Sequence, residues 1–208
     1  MPIQIDVWSD FVCPYCFAVS LSLKDLQTTD PANIRWHAYE LRPEGSPPVP
    51  PASRARIEQS RPVLDQMFRE QFGVEIKHGP FGNVSRGAHV AHAWARAQDE
   101  AAGERFHEQV FRAAWTDGAD VSSLDVLRDC ATAAGLDAEA MLAMLADPAQ
   151  CAPFDDEVSA DIEQAYAMNL SGVPALLIEQ RYLVPGAVPA DTLRRIVAQI
   201  QSGEVTIR

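Results

Sequence analysis

The hydrophobic period of this chain changes twice, and the changes divide it into pieces that only a mixed architecture can satisfy. Ile3, Ile5 and Val7 alternate with Gln4, Asp6 and Trp8; Phe17 to Leu26 carries apolar residues at helical spacing; Ile34 to Leu41 alternates again. A strand, a crossover helix and a parallel strand form a right-handed βαβ unit. Residues 42–51 then hold five prolines, which exclude regular helix and most sheet and read as a loop of polyproline character. From about Ala52 to Leu170 the pattern is helical, with segments near 53–72, 86–102, 104–115, 122–134, 138–146 and 154–168 punctuated by Gly or Pro. Ser122 or Ser123 and Asp137 stand at cap positions. After Gly172 the strand period returns: Ala175–Glu179, a turn at Gln180-Arg181, Tyr182–Val184, and a last helix capped by Asp191.

Four cysteines lie on this framework, two of them as Cys13-Pro14-Tyr15-Cys16 where the first strand gives way to the first helix. Unpaired N–H groups and the helix dipole at that position stabilise a thiolate. Two thiols at this spacing can close a small disulfide ring and reopen it by exchange. Cys13, before the first turn, is expected to be exposed and nucleophilic. Cys16, one turn in, is expected to face the protein body and resolve the mixed disulfide. Pro14 suits the first helical position, where its missing N–H costs nothing. A zinc site would need a second CxxC or a partner His, and Cys130 and Cys151 stand alone. A purely structural disulfide would close too short a loop to restrain the unfolded chain much.

The balance of 17 basic against 29 acidic residues, a net charge of −12, disfavours nucleic acid and anionic membranes as partners. No apolar run approaches the length that spans a bilayer, and Met1 to Asp6 shows no basic and apolar leader, so a cytoplasmic setting is expected. Structural disulfides are uncommon there, which favours a catalytic or redox-sensing dithiol. A Cys130–Cys151 disulfide is the minority reading for the same reason. No cofactor or metal is expected. His89 and His92 share the i, i+3 spacing of metal ligands, but no Cys or carboxylate completes a set nearby, and Ala91 and Trp94 suggest that the buried side lies elsewhere. Trp8, Phe11, Trp36, Phe106, Phe111 and Trp115 read as core, and Asp155-Asp156-Glu157 as a solvated helix start.

Taken together, βαβ, a helical block of roughly 120 residues and ββα have the element order of a thioredoxin fold carrying a large all-helical insertion. Residues 1–45 and 171–208 would form the thioredoxin-like domain, and 46–170 the inserted helical subdomain. Val173-Pro174 then opens the third strand, where thioredoxin-like folds place a cis-proline facing the CxxC. A proline there presents the preceding residue's backbone outward beside the sulfurs, so an extended chain or thiol substrate can pair with it. The CPYC motif, Trp36-His37-Ala38-Tyr39-Glu40-Leu41-Arg42-Pro43, Ser85-Arg86-Gly87-Ala88-His89 and Gly172-Val173-Pro174 together resemble the DsbA family, in particular its cytoplasmic FrnE-like branch. The resemblance covers essentially the whole chain. It implies thiol–disulfide exchange at Cys13 and Cys16, a cis Val173–Pro174 bond, and thiol or disulfide substrates bound near Pro14, Tyr15, Val173 and Pro174. Tyr15 departs from the His or Trp usual in the family, and a phenol stabilises a thiolate less than an imidazole does. The related hydroxychromene-carboxylate isomerases, which are glutathione-dependent, usually carry Ser at the first active-site position. A redox-sensing or chaperone-like binding module is the non-enzymatic alternative.

Overall fold

The computed structural model describes residues 2–203; Met1 and residues 204–208, the end of the C-terminal thioredoxin-like segment, lie outside the described residues. Four strands, β1 (Ile3–Ser9), β2 (Ala32–Ala38), β3 (Ala175–Ile178) and β4 (Tyr182–Pro185), form one sheet in the order β2-β1-β3-β4. The helix α1 (Pro14–Gln27) connects β1 to β2, which run parallel from Ile3 against Ala32 to Ser9 against Ala38. β3 lies antiparallel to β1, and β4 antiparallel to β3. Between β2 and β3 come α2 (Pro51–Phe72), α3 (Arg86–Gln98), α4 (Glu100–Arg112), a π-helical turn at Ala113–Asp117, α5 (Leu124–Ala134), α6 (Ala138–Ala146) and α7 (Pro148–Ala167); α8 (Ala190–Ser202) ends the described chain. This is the thioredoxin-like, mostly helical α/β fold that the sequence pattern implies.

One sheet face buries aliphatic side chains of β1 and β3 against Val19, Leu23 and Leu26 of α1 and Leu193 and Val197 of α8. Helix α7 covers the opposite face. Strict alternation in β1 therefore fails: Asp6 is buried although alternation places it outward, and Trp8 on the same face is buried, in keeping with its reading as core. Trp8 stacks on His37 with ring centroids 4.6 Å apart, and its indole N–H donates to the Asp161 carbonyl of α7 (3.1 Å). His37 is held between Asp6 (2.8 Å) and Asp161 (2.6 Å), so β2 and α7 are tied by a buried polar triad. Burial works against charging His37, yet the two carboxylates outweigh it and raise its pKa.

Several element boundaries move for identifiable reasons. Strand β2 ends at Ala38 rather than Leu41, because the Leu41 N–H turns to the Asp10 carboxylate (2.7 Å). Gly103, read as a helix break, lies inside α4, where an added Cβ would sit 2.8 Å from Arg96 Cα; α3 and α4 come close together here. The break falls at Asp99, whose carboxylate caps α4 by accepting from Ala102 N (2.6 Å). Asp137 caps α6 as expected, accepting from Ala140 N at 3.0 Å. Ser123 holds the N-cap position of α5 without a side-chain bond, and Asp120 instead accepts from the Ser122 N–H and hydroxyl.

Asp147 and Pro148 start α7 six residues early, which places Asp155 and Glu157 inside the helix as partners of Arg86 and Arg96. The β3–β4 turn begins at Glu179, not Gln180. Both have positive φ, held by Glu179 bonds to the Gln4 backbone and a Gln180 bond to Asp6. Asp191 lies in the first turn of α8, after Pro189 at the N-cap, and binds Arg194.

Candidate active site

Cys13 is the N-cap of α1, in extended conformation (φ −101°, ψ 116°), with Pro14 at the first helical position. Its carbonyl accepts from Cys16 N (3.1 Å) and Phe17 N (3.2 Å), and its N–H donates to Asp10 O (3.0 Å), so the turn after β1 aims the first sulfur across the helix end. The two sulfurs stand near disulfide distance as free thiols. The Val173 carbonyl accepts from the Cys13 thiol at 3.7 Å, and the Val173–Pro174 bond is cis. Pro174 is buried, with its carbonyl held by Gly186 N (2.8 Å), whereas Val173 and Pro14 are half-buried and Tyr15 is 49% exposed. The strand-three loop and the CPYC turn thus meet, although they lie 160 residues apart.

The two cysteines differ less in exposure than expected. Cys13 is only 4% exposed and Cys16 fully buried, because both belong to the large cluster formed between α1 and the inserted helices. Electrostatics separates them instead. The Cys16 thiol, hydrogen-bonded to the Cys13 sulfur, holds the Cys13 thiol below its ordinary range; backbone N–H groups of Cys16 and Tyr15 add to this, against burial and the charge of Asp10. Burial pushes the Cys16 thiol well up, and the adjacent Cys13 sulfur adds to the shift. The two shifts are opposed, so Cys13 gives up its proton before Cys16 does.

Asp10 is the site residue that periodicity did not find. It is fully buried, its carboxylate accepting from Val12 N (3.2 Å) and Leu41 N (2.7 Å), while its own N–H donates to Cys16 Sγ (3.5 Å). Its position three residues before Cys13, closing a strand, was the available signal, since an Asp there caps the turn backbone. His89 Nε2 lies 3.6 Å from Asp10 and 3.2 Å from the Tyr39 carbonyl. His89 and His92 are both buried, contrary to the expectation that α3 buries another side: Ala88 to Ala95 are buried all round the helix. They pack near the Phe11 ring rather than forming a ligand set.

The π-helical turn places Trp115 so that its indole N–H donates to the Phe11 carbonyl (2.9 Å), bracing the loop ahead of the dithiol. Arg86 anchors the start of α3, bonding Asp155, Ser159 (2.6 Å) and Glu40 (3.3 Å). Cys130 is buried, its pKa pushed up to about 12 by burial first and then by Asp129 and Asp117, and it is not bonded to Cys151.

The family model described as DSBA-like thioredoxin domain matches residues 4–198. The chain belongs to that family. Among solved structures, the probable DsbA oxidoreductase SCO1869 from Streptomyces coelicolor is 24% identical, with a TM-score of 0.79 over 99% of this chain and 93% of that one. The cytosolic disulfide reductase DsbM from Pseudomonas aeruginosa, solved with GSH, is 18% identical with a TM-score of 0.69 over 95% and 99%. The 2-hydroxychromene-2-carboxylate isomerase of Sphingobium xenophagum is 24% identical over 85% of this chain and 89% of its own length.

Proposed function

We propose that the chain exchanges disulfides through the Cys13–Cys16 dithiol, with Cys13 as nucleophile and Cys16 as resolving thiol, on protein or low-molecular-weight thiols in the cytoplasm. The observation that carries this reading is the opposed pair of thiol shifts beneath the Val173 carbonyl. In the reducing direction the Cys13 thiolate attacks one sulfur of a substrate disulfide; a bond forms between Cys13 Sγ and that sulfur, and the other leaves as a thiolate. Cys16 then loses its proton, attacks Cys13 Sγ and releases the second substrate sulfur, leaving the protein disulfide-bonded and the substrate reduced by two electrons. The Asp10 N–H, aimed at Cys16 Sγ, favours the thiolate that this second step needs.

Residues 1–45 and 171–208 carry the sulfurs and the Val173–Pro174 segment in this reading, while the helices of 46–170 wall the site. Pro14, Tyr15, Val173 and Pro174 are the substrate-facing residues. The motifs around Trp36–Pro43 and Ser85–His89 support the FrnE-like branch.

Glutathione-dependent isomerisation is the second reading, favoured by the likeness to the hydroxychromene-carboxylate isomerase over 85% of this chain. Cys at both 13 and 16 weighs against it, because isomerisation needs no resolving thiol. Turnover of insulin disulfides with a thiol reductant tests the proposal: catalysed reduction lost in Cys13→Ser, with stable mixed disulfides on Cys16→Ser, is the expected result. Absence of turnover together with an undiminished Cys16→Ser protein in isomerisation would favour the second reading.

A further inference from the structure

Three arginines close in on the turn at Phe81-Gly82, in the segment that joins α2 to α3. Arg54 and Arg61 of α2 set their guanidinium carbons 5.0 and 4.7 Å from the Phe81 ring centroid. Arg42 reaches the same turn from the chain leaving β2: its Nε lies 3.9 Å from the position that a Cβ on Gly82 would take. None of the three has a carboxylate within ion-pair distance among the described residues, Glu44 and Glu58 included, whereas Arg86, Arg96 and Arg194 are each matched. The Nε atoms of Arg42 and Arg61 are buried without a hydrogen-bond partner, and Arg42 spends one other donor on the Pro47 carbonyl (2.6 Å). A buried charged donor left unpaired is costly, so these groups favour an anion. Contact with the Phe81 ring does not use up the guanidinium N–H groups of Arg54 and Arg61, which stay free to pair with one.

The cluster is fastened to the dithiol turn from two sides. Leu41, next to Arg42, donates its N–H to the Asp10 carboxylate (2.7 Å), and the Asp10 N–H is aimed at Cys16 Sγ. Lys77 N donates to the Trp115 carbonyl (2.7 Å) and the Trp115 indole to the Phe11 carbonyl, which ties the segment carrying Phe81 to the turn before Cys13. His78, paired with Asp65 at 2.7 Å, ties the same segment to α2. In a chain of net charge −12, unpaired positive charge beside the reacting sulfurs selects negative ligands. Arg54 and Arg61 leave α2 about 10 Å apart along its axis, a spread wider than one carboxylate fills. Side chains on one edge of an extended polypeptide recur about every 7 Å, so successive acidic residues can meet successive arginines.

We propose that Arg42, Arg54 and Arg61 form a docking rim for an acidic, extended segment of a polypeptide substrate, so that the chain prefers disulfides flanked by Asp or Glu. The substrate preference rests on the exchange reading, whereas the hold of the rim on acidic peptide is measurable without turnover.

Two peptide series on the full chain test this: redox-inert peptides with Ser in place of Cys, bound by fluorescence anisotropy, and the same sequences as disulfides, reduced in the presence of a thiol reductant. Within each series the central residue is flanked by Glu, Gln or Lys pairs. The Glu peptide is expected to bind at least about tenfold more tightly than the Gln peptide, and the Lys peptide more weakly still. That order should collapse in the Arg54→Gln, Arg61→Gln double variant. It should also shrink in the wild type as salt rises from about 0.05 to 0.5 M, a readout that needs no substitution in α2. In turnover the preference should appear in KM rather than kcat. Equal binding of Glu and Gln peptides, equal KM for the three disulfides, or a preference that survives the double variant or added salt would each overturn the rim. Tighter binding of a single-stranded oligonucleotide, or a dimer of the chain that the double variant dissolves, would overturn it in favour of another occupant. Preferential binding of the Glu peptide with no turnover of any disulfide would sustain the rim and refute the exchange reading on polypeptides.

Discussion

Two of the three buried clusters among the described residues meet along α1, and they are built from different chemistry. The sheet core holds Ile3, Ile5, Val7, Leu23, Leu26, Leu176, Ile178, Leu193 and Val197, all aliphatic. The core on the other side of α1 gathers Phe11, Phe17, Phe68, Phe106 and Phe111 with both active-site cysteines, and packs around buried His89, His92 and His107. Aliphatic side chains offer nothing that titrates, so the first core can only hold the helix in place. The second surrounds two thiols with a carboxylate, three imidazoles and few routes for water, and there small electrostatic differences decide which sulfur bears charge. Helix α1 is thus fixed on one face and tuned on the other.

The largest effect that separates the two regions is on activity. Cys13→Ser should reduce insulin-disulfide turnover to background and leave the urea midpoint close to that of the wild type. Leu23→Ala, in the fully buried aliphatic core, should do the reverse: about 2–5 kcal/mol of stability lost in urea titrations, with turnover per folded molecule unchanged. A Leu23→Ala protein that kept its stability but lost activity would break the division.

A smaller effect comes from pH, and here two buried histidines, His37 under α7 and His92 in the aromatic core, have opposite signs. His37, in the triad with Asp6 and Asp161, has a raised folded-state pKa, so its contribution is complete below about 6.5 and is lost as pH rises through the folded value. His92 is lowered to about 3, chiefly by burial and then by Arg96 and His89, and its Nε2 has no partner. Its protonation favours the unfolded chain, so stability falls as pH drops from about 6.5 toward 3, by on the order of 1 kcal/mol per pH unit. His92→Gln should flatten the acid limb of urea midpoint against pH, and His37→Gln the limb above neutrality. An unchanged acid slope in His92→Gln would show that the aromatic core is wetter than its burial implies.

Smallest of all should be changes around the dithiol that leave both sulfurs in place. Asp10→Asn removes a charge that opposes the Cys13 thiolate, so the Cys13 titration, followed by thiolate absorbance, should move down and the disulfide become more oxidising. Tyr15→His should move it the same way by less, since the side chain at 15 is half exposed and screened. An upward shift in Asp10→Asn would mean that loss of the carboxylate's bonds to Val12 and Leu41 reshapes the turn more than its charge matters.

The difference between the regions also explains what was readable in the sequence. Period-two and helical spacing report apolar side chains facing one way, so the strands, α1 and most helices of the insertion could be placed, and the CPYC turn followed from where a strand met a helix. Burial on two faces defeats the same signal. Asp6 and Trp8 in β1, and the whole of Ala88–Ala95 in α3, are covered from both sides by elements distant in the chain. Asp10 was missed because a lone acid beside a strand carries no period, and its burial depends on Leu41 and His89 arriving from elsewhere. The exposed Cys13 expected from helix position alone overlooked how closely the inserted helices and Val173 cover the helix end.

The central claim, that electrostatics rather than exposure sets cysteine reactivity here, can be tested by limiting iodoacetamide at neutral pH on the reduced protein, with each cysteine quantified by peptide mass spectrometry. Cys151 is the most exposed of the four, but burial and Asp155 raise its pKa, whereas Cys13 is nearly buried and lowered. The account predicts that Cys13 is alkylated first, ahead of Cys151, with Cys16 and Cys130 unmodified. Labelling that follows exposure, Cys151 before Cys13, or that favours Cys16, would contradict it.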